Sequence, residues 1–164
     1  MIKPAGAVFL LPWLLISIAA SQASVDIAVE GTLLPPVCRV DDGGNGMINV
    51  DFGDDINLNR LDGDRYRTNV SYSVTCGDDG QRWPLRLKFT SAAIGWDAKT
   101  LATDRQHLGI RLALGGTDVE FGKDIPVADP ARLPLLTAVP VKDPAGIPEE
   151  GRFSATASLL AEYY

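Results

Sequence analysis

The closing stretch GRFSATASLLAEYY, residues 151–164, constrains the fold more than any other part of the chain. Phe153, Ala155, Ala157, Leu159, Ala161 and Tyr163 recur at every second position. Between them stand Arg152, Ser154, Thr156, Ser158, Leu160 and Glu162, all polar except Leu160. A period of two describes a β-strand with one buried face and one wet face. No later strand follows it, which leaves open what this strand pairs with.

The other terminus sets up a second apolar strand. Lys3 precedes an apolar run, Ala5 to Ala20, interrupted by Pro12 and Ser17 and followed by Ser21-Gln22-Ala23. A short basic start, an apolar middle and small residues at −3 and −1 predict a secretory signal peptide over 1–23, cleaved after Ala23. No stable membrane insertion is expected after cleavage, because the run is short and no basic stop-transfer cluster follows it. SVDIAVEGTLL then alternates, with Val25, Ile27, Val29, Gly31 and Leu33 on one face, before Pro35-Pro36 ends any ladder. The expected organisation is a signal peptide over 1–23, an extension over 24–34 and one domain over 35–164.

The formal net charge is −6, and it becomes more acidic once Lys3 is removed. An acidic chain without a basic stripe argues against nucleic acid and anionic membranes as partners. Cys38 and Cys76 are the two cysteines. In a secreted chain an even count predicts one disulfide, and closing a loop of this length contributes roughly 4 kcal/mol in the chain-entropy picture. Once oxidised, neither sulfur can serve as a nucleophile or metal ligand.

Between the termini, short alternating runs are separated by Gly, Pro, Asp and Asn, the pattern of an all-β sandwich with about seven strands and no sizeable helix. Cys38–Val40, then DDGGNG and MINVDFG (47–53), read as a hairpin. Val70, Tyr72, Val74 and Cys76 alternate, as do Leu85, Leu87 and Phe89, and Ile110, Leu112 and Leu114. Leu135–Val141 carries Pro134 and Pro140, which predicts an edge or a bulge.

The candidate chemistry is sparse. His107 is the only histidine, and with no free thiol and no serine elbow nothing assembles into a nucleophile–base pair. Asp51, Asp54, Asp55, Asp62 and Asp64 supply oxygens, but their spacing is not that of a calcium loop and they read as turn residues. No catalytic residue, metal ligand or cofactor site is expected. Trp83 and Trp96 read as core or rim residues; a one-domain lectin-like adhesin using them, or the Asp-rich loop, is the alternative.

In four places the residues resemble pilin subunits of the chaperone–usher pathway of Gram-negative bacteria. VDIAVEGTLLPPVC resembles the family's N-terminal extension, YSVTC its second cysteine strand, LPLLTAVPVK its penultimate strand and GRFSATASLLAEYY its C-terminal motif, with Gly151 and Tyr163 on the motif glycine and aromatic. The resemblance implies an immunoglobulin-like sandwich lacking its last strand, completed by a strand from another protein. It implies that Val25, Ile27, Val29, Gly31 and Leu33 form a donor strand. It further implies that Gly151, Phe153, Ala155, Ala157, Leu159, Tyr163 and Tyr164 form the acceptor groove and chaperone-binding edge. The implied partners are a periplasmic pilus chaperone, an outer-membrane usher and neighbouring pilin subunits. The implied function is that of a structural fibre subunit on the cell surface, reached through the periplasm, with a minor tip or adaptor position suggested by the short extension.

Overall fold

The computed structural model describes residues 27–33, 38–43, 46–77 and 84–163. The expected signal segment, Val25, Pro35-Pro36, Trp83 and Tyr164 lie outside them. By contacts the chain divides into two units, Met1–Leu33 and Leu34–Tyr164.

In the first unit, residues 27–33 form no strand, although their alternation predicts one. Ile27, Val29 and Leu33 are 86%, 89% and 99% exposed. Alternation prepares a segment for a sheet; a ladder also needs a neighbouring backbone.

Among the described residues the second unit is all-β apart from one 3₁₀ turn at Leu58–Arg60. Its described strands are β1 (Cys38–Asp41), β2 (Thr68–Val70), β3 (Ser73–Cys76), β4 (Leu85–Thr90), β5 (Ala93–Ile94) and β6 (Asp97–Ala102). They continue with β7 (Leu108–Leu114), β8 (Thr117–Asp118), β9 (Asp124–Val127), β10 (Leu136–Lys142) and β11 (Ser158–Tyr163). The larger sheet runs β2-β10-β7-β6-β5, with β8 also on β7; a smaller one runs β11-β4-β9; and β1 pairs with β3.

The core lies between the sheets because their strands alternate. On β4, Leu85 and Leu87 are fully buried and Phe89 nearly so, while Arg86 and Lys88 face outward. They pack with Ile110, Leu112 and Leu114 of β7, with Leu136 and Ala138 of β10, and with Ala161 of β11. The outward face of β4 carries cross-strand ion pairs, Arg86 to Asp124 and Glu162 at 3.4 Å each and Lys88 to Asp124 at 2.8 Å. The strands β6 and β7 approach closely at Gly109, where a Cβ would lie 2.3 Å from Thr100 Cγ2 and 3.0 Å from the Leu101 carbonyl oxygen. Only glycine allows that approach.

The expected disulfide joins Cys38 to Cys76, which are directly opposed in the β1–β3 ladder. The expected hairpin does not form. The strand β1 pairs with β3, not with residues 47–53, and the cysteine register accounts for the choice. The proline cue was half right. The strand β10 lies between β2 and β7 over Leu136–Ala138, but β2 ends there, so Pro140 sits where one flank is open. Beside this strand, Tyr72 donates to the Pro134 carbonyl at 2.8 Å, and burial pushes its phenol up to about 12.

Leu87→Ala is expected to lower stability by about 2–5 kcal/mol, through lost transfer energy and a residual cavity. Thr90→Ala, at the exposed end of the same strand, should change it by under about 0.5 kcal/mol. Denaturant midpoints of the two variants would check the contrast.

Candidate functional site

Two stretches that read as strands have no ladder partner among the described residues: 47–53 and 151–157. Both line one cavity of about 860 Å³. On one wall Ile48, Val50 and Phe52 are half-buried, alternating with exposed Met47, Asn49, Asp51 and Gly53. On the other, Phe153 and Ala157 are half-buried between exposed Arg152, Ser154, Thr156 and Ser158. Ala155 is exposed in the same row. The floor is the core itself: Val70, Phe89, Ile110, Leu112 and Leu136 line the cavity and are themselves buried. Across it the rings of Phe52 and Phe153 approach to 6.1 Å between centroids, tilted by 33°. This is an apolar groove bordered by two extended backbones, with strand periodicity but no strand between them.

The far side of the 151–157 wall is tied to the β6–β7 turn. The Asp104 N–H donates to the Ser154 carbonyl at 3.0 Å, and the Ser154 N–H donates to Asp104 Oδ1 at 2.7 Å. The Ser154 hydroxyl donates to Asp104 Oδ2 at 3.1 Å, and Arg105 Nε donates to the Arg152 carbonyl at 2.7 Å. The Ser154 N–H, aimed at the charged form, holds the Asp104 carboxyl below the ordinary carboxylate range.

The sequence-derived site residues fall unequally on this groove. Gly151, Phe153, Ala155, Ala157 and Leu159 line the cavity. Tyr163 is not among its lining residues: it stands opposite Leu85 in the β11–β4 ladder, with its hydroxyl 3.5 Å from the Cys76 carbonyl. Tyr164 lies outside the described residues, as does Val25 of the expected donor face. Ile27, Val29, Gly31 and Leu33 are exposed in their own unit. The opposite wall, Ile48, Val50 and Phe52, was missed. Its signal was the alternation in MINVDFG, taken as half of a hairpin.

The Asp-rich stretch is turn chemistry. Asp51 Oδ1 accepts from the Gly53 N–H at 2.8 Å, and Asp62 Oδ1 from the Asp64 and Arg65 N–H groups at 3.0 and 2.7 Å. Asp64 pairs with Arg67 at 3.1 Å. His107 Nδ1 lies 2.9 Å from Asp143 Oδ2 at the β6–β7 turn. Trp96 is half-buried beside His107, Gln106 and Asp143, around a second cavity of about 360 Å³.

A model of the family described as fimbrial protein matches residues 27–164. The chain belongs to the fimbrial protein family. Among fimbrial relatives, the fimbrial-like protein YfcQ of Escherichia coli K12 is 31% identical over 152 residues, 90% of this chain and 92% of that one. The minor fimbrial protein PrsF of Escherichia coli is 31% identical over 162 residues, covering 92% and 94% of the two chains. The solved structure of the P pilus adaptor subunit PapF matches with a TM-score of 0.56 and 29% identity, over 80% of this chain and 98% of that one. The open, immunoglobulin-like sandwich of fimbrial subunits is therefore the fold of this chain.

A depressed carboxylate pKa contributes stability above its unfolded value and loses it as pH falls through the folded value. The Asp104–Ser154 contact is expected to persist at pH 5 and to open only below the usual aspartate value of 3.8. An NMR titration of the Asp104 carboxyl and the Ser154 amide would check this; a common midpoint at or above 3.8 would contradict it.

Proposed function

We propose that this chain is a structural subunit of a chaperone–usher pilus, built into the fibre by strand donation, in a minor tip or adaptor position. The observation that carries the reading is the groove: two unpaired extended walls over an open apolar floor. Buried backbone groups without partners each cost about 1–3 kcal/mol, and an uncovered sheet edge invites aggregation. An extended segment from another protein answers both needs through ladder hydrogen bonds and alternating side chains. Chaperone–pilin strand complementation is a known instance of this mode. The periplasmic chaperone supplies the segment first, and the extension of a neighbouring subunit replaces it at the outer-membrane usher.

By the same logic this chain's own extension fills a neighbour's groove. Burying Val25, Ile27, Val29 and Leu33 contributes roughly 6–12 kcal/mol at about 1.5–3 kcal/mol each, before ordering costs. The names of the relatives PrsF, a minor fimbrial protein, and PapF, an adaptor subunit, support the minor position. Nothing in this reading requires catalysis.

Three measurements test it. Co-expression with and without a periplasmic pilus chaperone should give soluble subunit in the periplasm only with it; an equal periplasmic yield without the chaperone would overturn the reading. A Cβ at Gly31 meets nothing within 4 Å in this chain, so Gly31→Asn leaves its own fold untouched. That variant should still bind chaperone yet fail to enter fibres, and normal incorporation would remove the donor role. Deleting Tyr163 and Tyr164 should abolish recovery with the chaperone, and an unchanged co-purification yield would count against the C-terminal edge as its binding site.

A further inference from the structure

The ties between the β6–β7 turn and the terminal segment fix a direction. Along an extended strand, the N–H and C=O groups of successive residues point to alternate sides. Ser154 commits both of its backbone groups to Asp104, and the Arg152 carbonyl is bound by Arg105 on the same side. Phe153 and Ala155 must then present theirs to the side away from the turn, and both residues line the cavity. Neither has a backbone partner among the described residues. The turn that supplies the anchor is itself braced: the Thr103 hydroxyl accepts from the Arg105 N–H at 3.1 Å and donates to the Leu108 carbonyl at 2.8 Å. At the entrance Gly151 has φ +122, and a Cβ there would stand 3.2 Å from Arg105 Nη2. The glycine therefore lets the chain pass beneath the guanidinium that holds the next residue.

We infer that Asp104 is a positioning residue that holds the terminal wall extended and aims the Phe153 and Ala155 backbone groups into the groove, setting the register of an incoming peptide strand before it arrives. The inference rests on the strand-acceptor reading above and assigns the device that prepares that site. Without the anchor, residues 151–157 have no ladder to hold them, and each freed residue regains backbone entropy that an incoming strand must overcome. Preorganisation lowers that cost at the moment of binding. Asp104 is exposed, so its removal leaves the core intact.

The test uses the mature chain, refolded at low concentration, and a labelled synthetic peptide of residues 25–34. In the free chain the Ser154 amide should exchange slowly while the Phe153 and Ala155 amides exchange fast; with peptide bound, all three should be protected. Asp104→Ala should abolish Ser154 protection and weaken peptide binding about tenfold, the loss of a hydrogen bond to a charged acceptor. Asp104→Asn keeps an oxygen for the Ser154 N–H and should bind within a few-fold of the natural chain, roughly the difference between a charged and a neutral acceptor. Equal peptide affinity in the Asp104→Ala chain, or a Ser154 amide as labile as its neighbours, would overturn the inference. Failure of the natural chain to bind the peptide would instead count against the strand-acceptor reading. The amide pattern of the empty chain would then still decide whether Asp104 aims the wall.

Discussion

Backbone hydrogen bonding that is incomplete beside an apolar floor governs this molecule. Elsewhere the two sheets meet the ordinary requirements of a β-sandwich. The β4 side chains interlock with β7 and β10, outward charges pair across strands, and Gly109 lets β6 and β7 close up. Along 47–53 and 151–157 alternate side chains turn toward the cavity, but no ladder joins either stretch to a neighbour among the described residues. On the proposed reading such a fold is completed by association, and its stability then belongs to a complex more than to the chain.

Much of this was legible because alternation reports which face of a strand is buried. It identified the inward rows at Val70–Cys76, Leu85–Phe89, Ile110–Leu114 and Phe153–Tyr163. It could not report ladder partners, which depend on distant backbone. MINVDFG was therefore read as half of a hairpin when it forms the groove wall facing Phe153, and the closing strand was read as continuous when only Ser158–Tyr163 is paired. Nor does alternation separate the cavity-lining part of the closing row from Tyr163, which pairs with Leu85 and reaches the Cys76 carbonyl. The β5–β6 region, with polar Asp97 and Thr100, shows no clean period; Thr100 is buried with its methyl against Gly109, where no Cβ stands in the way, a contact invisible along the chain.

The polar residues divide in a similar way. The aspartates at Asp51 and Asp62 fold locally, bonding amides two or three residues on, and such short-range chemistry is readable in sequence. Asp104 does the opposite, reaching a serine 50 positions away, and nothing in its surroundings in the chain marks it. Long-range side-chain contacts to backbone are where reading a sequence stops, and here one of them borders the functional groove.

The Cys38–Cys76 bond sits where the leading segment enters the body, in the first register pair of β1 with β3. In a fibre joined through that segment, a pulling force arrives at Cys38 before it reaches any other part of the sandwich. A short strand held only by hydrogen bonds would peel away rung by rung under such a load. The covalent clip passes the tension across to β3, so this bead stays threaded even where the ladder beside it opens.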